Sequence, residues 1–189
     1  MLGRPRAVTL AAMAEARPER TPISHRAGHL VFGLDERIAS TVYGTITAMA
    51  TVAAYGRAFP DNPWRVEELV VSTALVLWIA HVYTHGLSES LVESRRLNWT
   101  RIWAIALREL GILLAAVPTC VALALGAAGV FDETASIWLA LGLGLATLAV
   151  EGLRYARIER LGAAATLAAV GANVGIGVLV VLLKVTVLH

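Results

Sequence analysis

A chain of 189 residues that is 57% apolar and only 16% charged, with a mean hydropathy of +0.68, is too hydrophobic for an ordinary soluble domain. The net charge of +2 is small and argues against nucleic acid as a partner, and the single cysteine, Cys120, excludes an internal disulfide and any cysteine-rich metal cluster. No phosphate-binding Gly-Lys loop, HExxH zinc motif or serine elbow occurs.

Residues 1–34 carry arginines and prolines in a weakly apolar background, which reads as a flexible, basic cytoplasmic tail. The stretch Ala7 to Ala14 has the look of a signal-peptide core, but cleavage there would leave Arg17, Arg20 and Arg26 on the side opposite every later arginine-rich loop. A basic tail next to a bilayer is expected to associate with anionic lipids.

From residue 35 to 189 the pattern predicts an all-α fold, a polytopic transmembrane helical bundle. Five apolar blocks, about 38–56, 66–86, 102–130, 135–153 and 163–186, are each close to or above the roughly 20 residues that cross a bilayer. Twelve arginines fall in the tail and in the loops after the second and fourth spans, whereas the loop around Asp132 and Glu133 holds no basic residue. The positive-inside rule then places the N-terminus in and the C-terminus out, in agreement with an odd number of spans. Fifteen of the sixteen basic residues are arginine, with Lys184 the only lysine, a bias that suggests a bacterial plasma membrane as the location.

Span one carries Ser40, Thr41, Thr45, Thr47 and Thr51 among small residues. Such side chains let helices approach closely and hydrogen-bond across the contact. A second reading has the same stripe, with Tyr43, lining a polar path. Before span two, Asp61 or Asn62 can cap the helix and Pro63 suits its first turn. Glu67 and Glu68 follow at the positive end of the helix dipole, either as caps or as an outer mouth that attracts cations.

The inner half of span two ends in Trp78-Ile79-Ala80-His81-Val82-Tyr83-Thr84-His85-Gly86-Leu87-Ser88-Glu89. On a helix, residues four apart are rotated by only about 40°, so His81, His85 and Glu89 share a face. Span three holds Arg108 and Glu109, followed by Gly111 and a kink expected at Pro118. Adjacent helical residues point about 100° apart, so each charge is expected to find its partner on another span. Counting from the inner ends of their spans puts Glu109 and His81 at nearly the same depth, roughly 10 Å. Glu151 of span four can reach that layer, and Asn173 lies near the middle of span five.

Three readings of the histidine pair stand side by side. Imidazole and carboxylate suit a divalent transition metal held by His81, His85, Glu89 and Glu109. Histidine also titrates near neutrality, so His81 and Glu109 can relay a proton. In the third reading His85 reaches water and His81 bonds a neighbouring helix. Around the pair, Arg108, Glu151, Asn173 and Tyr43 complete a polar cluster. With only five histidines the chain is too poor for the ligand sets of intramembrane oxidases, so an enzyme is not expected. Glycines in the last two spans, Gly142 and Gly144, then Gly171, Gly175 and Gly177, favour close helix contacts and a homo-oligomer through those spans.

The segments LDERIASTVYGTITAMA (34–50), WIAHVYTHGLSES (78–90) and EGLRYARIERL (151–161) resemble an uncharacterised family of small integral membrane proteins of high-GC actinobacteria. The resemblance implies membrane class and location and carries no activity. A fainter similarity links five spans with a glycine-rich end to the vacuolar-iron-transporter-like family. That family's Asp-Gly pair in the first span and its glutamate-rich helical insertion are absent here, and none of its residues transfers. The expected function is therefore a transporter or channel for a cation, either a divalent transition metal or a proton. The alternative is a non-catalytic membrane subunit or scaffold whose buried charges fix helix packing.

Overall fold

The computed structural model describes the backbone of residues 25–93 and 98–187, and side chains within 37–91 and 98–183 together with Thr186. The chain divides into two units, Met1–Phe32 and Gly33–His189. Of the first, only the opening turns of a helix are described. Residues 1–24 of the tail, its lipid contacts and the Lys184 side chain lie outside the described residues, while 25–34, expected as flexible tail, are helical.

Among the described residues six helices follow one another, α1 (His25–Tyr55), α2 (Pro63–Glu93), α3 (Trp99–Arg108), α4 (Gly111–Ala127), α5 (Glu133–Ile158) and α6 (Ala163–Val187). Within the described residues four segments are long and apolar enough to cross a membrane: Arg37–Tyr55, Pro63–Leu91, Glu133–Ile158 and Ala163–Leu183. A fifth arises when α3 and α4, bent by 43° at their junction, count as one broken span.

The helix starts are capped as short polar residues dictate. Asn62 Oδ1 accepts the Arg65 amide at 3.0 Å ahead of α2, Asn98 Oδ1 accepts that of Thr100 at 2.6 Å ahead of α3, and Asp132 Oδ2 accepts that of Ala135 at 3.3 Å ahead of α5. Between Asp61 and Asn62, then, Asn62 is the cap. Gly129, in the left-handed region at φ 73°, ends α4, with its amide bonded to Gly126 O at 2.9 Å.

The core lies along Met49 and Val52 of α1, Val66 and Val70 of α2, Leu123 of α4 and Leu148 of α5, all fully buried. Close approach depends on particular glycines. A Cβ on Gly44 would stand 2.6 Å from Ile112 O and 2.8 Å from Ile112 Cα, so α1 touches the start of α4 backbone to backbone. Gly144 takes the Met49 side chain, and Gly177 takes Leu148. By contrast Gly142, Gly171 and Gly175 have open space where a Cβ would go, so the Gly171–Gly175 pair packs against nothing in the described bundle.

Two expectations change. The hydroxyls of α1 do not bond across helices: Thr41, Thr45, Thr47 and Thr51 each donate to the carbonyl four residues back in α1 at 2.8–2.9 Å, which satisfies them locally. The bend in the third span falls at Glu109 and Leu110, while Pro118 sits inside the continuous helix α4. Leu110 offers no side-chain cap, and the Ile112 amide closes a tight turn onto Glu109 O at 3.1 Å. At Gly111 the absence of a side chain makes room for Ser40 Oγ and, at 3.0 Å from a would-be Cβ, Thr41 Oγ1. The break and the N-terminal part of the first span therefore meet at one point.

Candidate functional site

Two of the three residues expected on one face of α2, His81 and His85, lie side by side. His81 and His85 lie with ring centroids 6.3 Å apart and planes inclined by 20°. Tyr43 of α1 packs on His81 with centroids 5.0 Å apart. His81 Nδ1 is 3.0 Å from Leu77 O, so the tautomer protonated there donates to the helix and keeps a lone pair on Nε2. One turn before His81, Trp78 donates from Nε1 to Ala106 O at 3.0 Å and ties α2 to α3. Trp78 escaped the sequence reading, although its place three residues before His81 puts it on the same stripe.

Arg108 finds the partner on another span that its position called for, donating from Nη2 to Glu89 Oε1 at 3.0 Å. It also stands near its own neighbour, with Nε 3.9 Å from Glu109 Oε1. Adjacency forbids that contact in a continuous helix. It becomes available because Glu109 is the C-cap of α3, where the chain leaves the helix at φ −83°, ψ 2°.

Glu109 is 4% exposed. Its Oε1 lies 3.9 Å from His85 Nδ1, a ring that is itself 43% exposed in its side chain. Ser40, Tyr43, His81, His85 and Glu109 line a cavity of about 310 Å³, and Ala39 completes the wall. That volume is enough for several waters at about 30 Å³ each. A buried carboxyl thus shares one cavity with two imidazoles, at the bend between α3 and α4.

The rest of the predicted cluster is elsewhere. Glu151, 4% exposed, is paired within α5 to Arg154 Nη1 at 2.8 Å. Asn173 donates from Nδ2 to Leu148 O at 3.4 Å and lines a different, largely apolar cavity of about 410 Å³ with Ile38, Val42 and Tyr155. The structure therefore brings together Tyr43, His81, His85, Glu89, Arg108 and Glu109, and leaves Glu151 and Asn173 to the α5–α6 side. Among the described residues no group of three or more His, Cys, Asp or Glu side chains is placed to hold a metal ion. Glu89 turns to Arg108, so it does not join the histidines.

Fold and site together define a helical membrane-spanning bundle with buried carboxylates, one of them at the bend between α3 and α4. No protein-family model, curated protein or solved structure matches the chain.

Proposed function

We propose that this protein is a multi-pass protein of the bacterial plasma membrane that carries protons, as a channel or transporter, through the site formed by Glu109, His85 and His81. It belongs by this reading with the small actinobacterial membrane proteins that its sequence resembles, and its arginine-rich loops face the cytoplasm. The observation that carries the reading is Glu109, a buried carboxyl at a helix break with an imidazole 3.9 Å away and a cavity of about 310 Å³ in front. Ionisable groups at membrane depth are costly and mark ion or proton pathways. A proton is favoured over a divalent metal as the cargo because Glu89, one of the carboxylates a metal would use, is engaged by Arg108.

The test is proton flux into liposomes holding the purified protein, read with an enclosed pH-sensitive dye under an imposed gradient. Wild type should conduct, and Glu109→Gln and His85→Ala should not. A Glu109→Gln protein that melts like wild type and conducts equally would sink the reading.

A structural role is the second reading, favoured by the Arg108–Glu89 pair that crosses from α3 to α2 at 3.0 Å. A wild type without flux, combined with marked destabilisation by Arg108→Ala, would select it.

A further inference from the structure

At the end of the spans away from Glu109, the end of α1, the start of α5 and the last turns of α6 border a cavity of about 500 Å³, larger than the 310 Å³ in front of Glu109. Its lining changes character along the helices. Val52 of α1, Leu141 of α5 and Val181 of α6 make an apolar floor, whereas Arg57, just past the end of α1, and Thr134, in the first turn of α5, stand at the rim. Leu141 and Thr134 are seven residues apart, or about 10 Å along α5. Trp138, 68% exposed, lies on the wall between them. The helices meet closely beside the cavity: a Cβ on Gly56 would stand 2.7 Å from Val52 O and 2.9 Å from Ile137 Cγ2.

An apolar cleft with a cation at its membrane-edge rim fits an amphiphile that carries an anionic head. The helix ends put the rim at headgroup level, where indole rings such as that of Trp138 also settle. A guanidinium binds phosphate through paired N–H donors and has five of them, so a contact that Arg57 already makes leaves donors for a second anion. The acids next to Thr134 do not oppose an anion from the walls: neither Asp132 nor Glu133 lines the cavity, and Asp132 Oδ2 accepts the Ala135 amide at 3.3 Å. We infer that this cleft is a lipid site, which seats one acyl chain of an anionic phospholipid on Val52, Leu141 and Val181 with the headgroup phosphate on Arg57. The walls supply affinity and Arg57 selects the charge. The site goes beyond the proton-carrying reading and does not depend on it.

Native mass spectrometry of the full-length protein, freed of lipid in detergent, follows the binding of phosphatidylglycerol and of phosphatidylcholine with the same acyl chains. The first phosphatidylglycerol should bind about tenfold more tightly than the first phosphatidylcholine, the scale of effect of one charge near a lipid surface. Arg57→Gln should reduce that preference to within about twofold, and Arg57→Lys should keep most of it. Arg65→Gln, at the same end of the bundle but paired with Glu68 at 2.7 Å and away from the cavity, should keep all of it. Equal affinity for the two lipids in wild type, or a preference that survives Arg57→Gln, overturns the site. So does full displacement of the lipid by millimolar inorganic phosphate, which would make the cleft an ion site without an acyl chain. A lipid-free dimer that Val181→Trp dissociates would overturn it too, because a second copy would then fill the cleft.

Discussion

Glu109 and Glu151 are equally buried, each 4% exposed, yet they are neutralised in different ways. Glu151 is held by Arg154 from one turn along the same helix at 2.8 Å, and that arginine is half in the open, with 49% of its side chain exposed. That pairing lies within α5 and engages Oε1, while Oε2 is buried without a hydrogen-bond partner among the described residues. Among the described residues Glu109 has no contact that short: His85 and Arg108 both stand at 3.9 Å, and it lines a cavity with Tyr43, His81 and His85. Equal burial therefore goes with different surroundings. What sets Glu109 apart is an imidazole and a guanidinium, each at 3.9 Å, and the cavity it shares with His81 and His85.

The largest expected effect separates the two acids directly. Glu109→Gln should lower proton flux by at least about a hundredfold, the low end for losing a positioned proton-transfer group, whereas Glu151→Gln should stay within about twofold. Comparable losses in both would erase the distinction. Next come the glycines on either side. Gly44→Ala forces a Cβ against Ile112 O at 2.6 Å, a backbone atom that cannot step aside alone, and should cost about 1–3 kcal/mol in thermal or denaturant unfolding in detergent. Flux should fall with it, because Ile112 follows the break. Gly152→Ala meets Val170 Cα at 2.9 Å and Asn173 Nδ2 at 3.2 Å, and should destabilise while sparing the flux of the protein that remains folded. The smallest effect is at Trp78: Trp78→Phe loses the bond to Ala106 O and should cost about 1 kcal/mol in the same unfolding measurement.

The helical class was legible because long apolar runs leave the backbone one way to satisfy its polar groups in lipid. The histidine face was legible because it depends only on helical spacing within α2. The break at Glu109 was less so. Pro118 is the stronger sequence signal for a bend, but a lost hydrogen bond inside a packed apolar helix can be tolerated, and the chain bends instead where Gly111 lets Ser40 approach. That contact is between distant segments and has no local signature. The same limit explains Glu151: depth counting places it in the inner layer but cannot say which way round the bundle it faces. Glu67 and Glu68 were read together because adjacency in sequence hides their different neighbours: Glu68 accepts from Arg65 Nη1 at 2.7 Å, and Glu67 lines a cavity with Cys120.

The last helix carries a practical consequence. Only 6% of the apolar window of α6 is buried inside the bundle, and Gly171 and Gly175 have open space beside them. One side of α6 rests on α5, and its outward side is thus covered by what the experimenter supplies. Acyl-chain length and detergent should act first on α6, and the choice of solubilising agent becomes a variable of the folded state, to be held constant whenever two variants are compared.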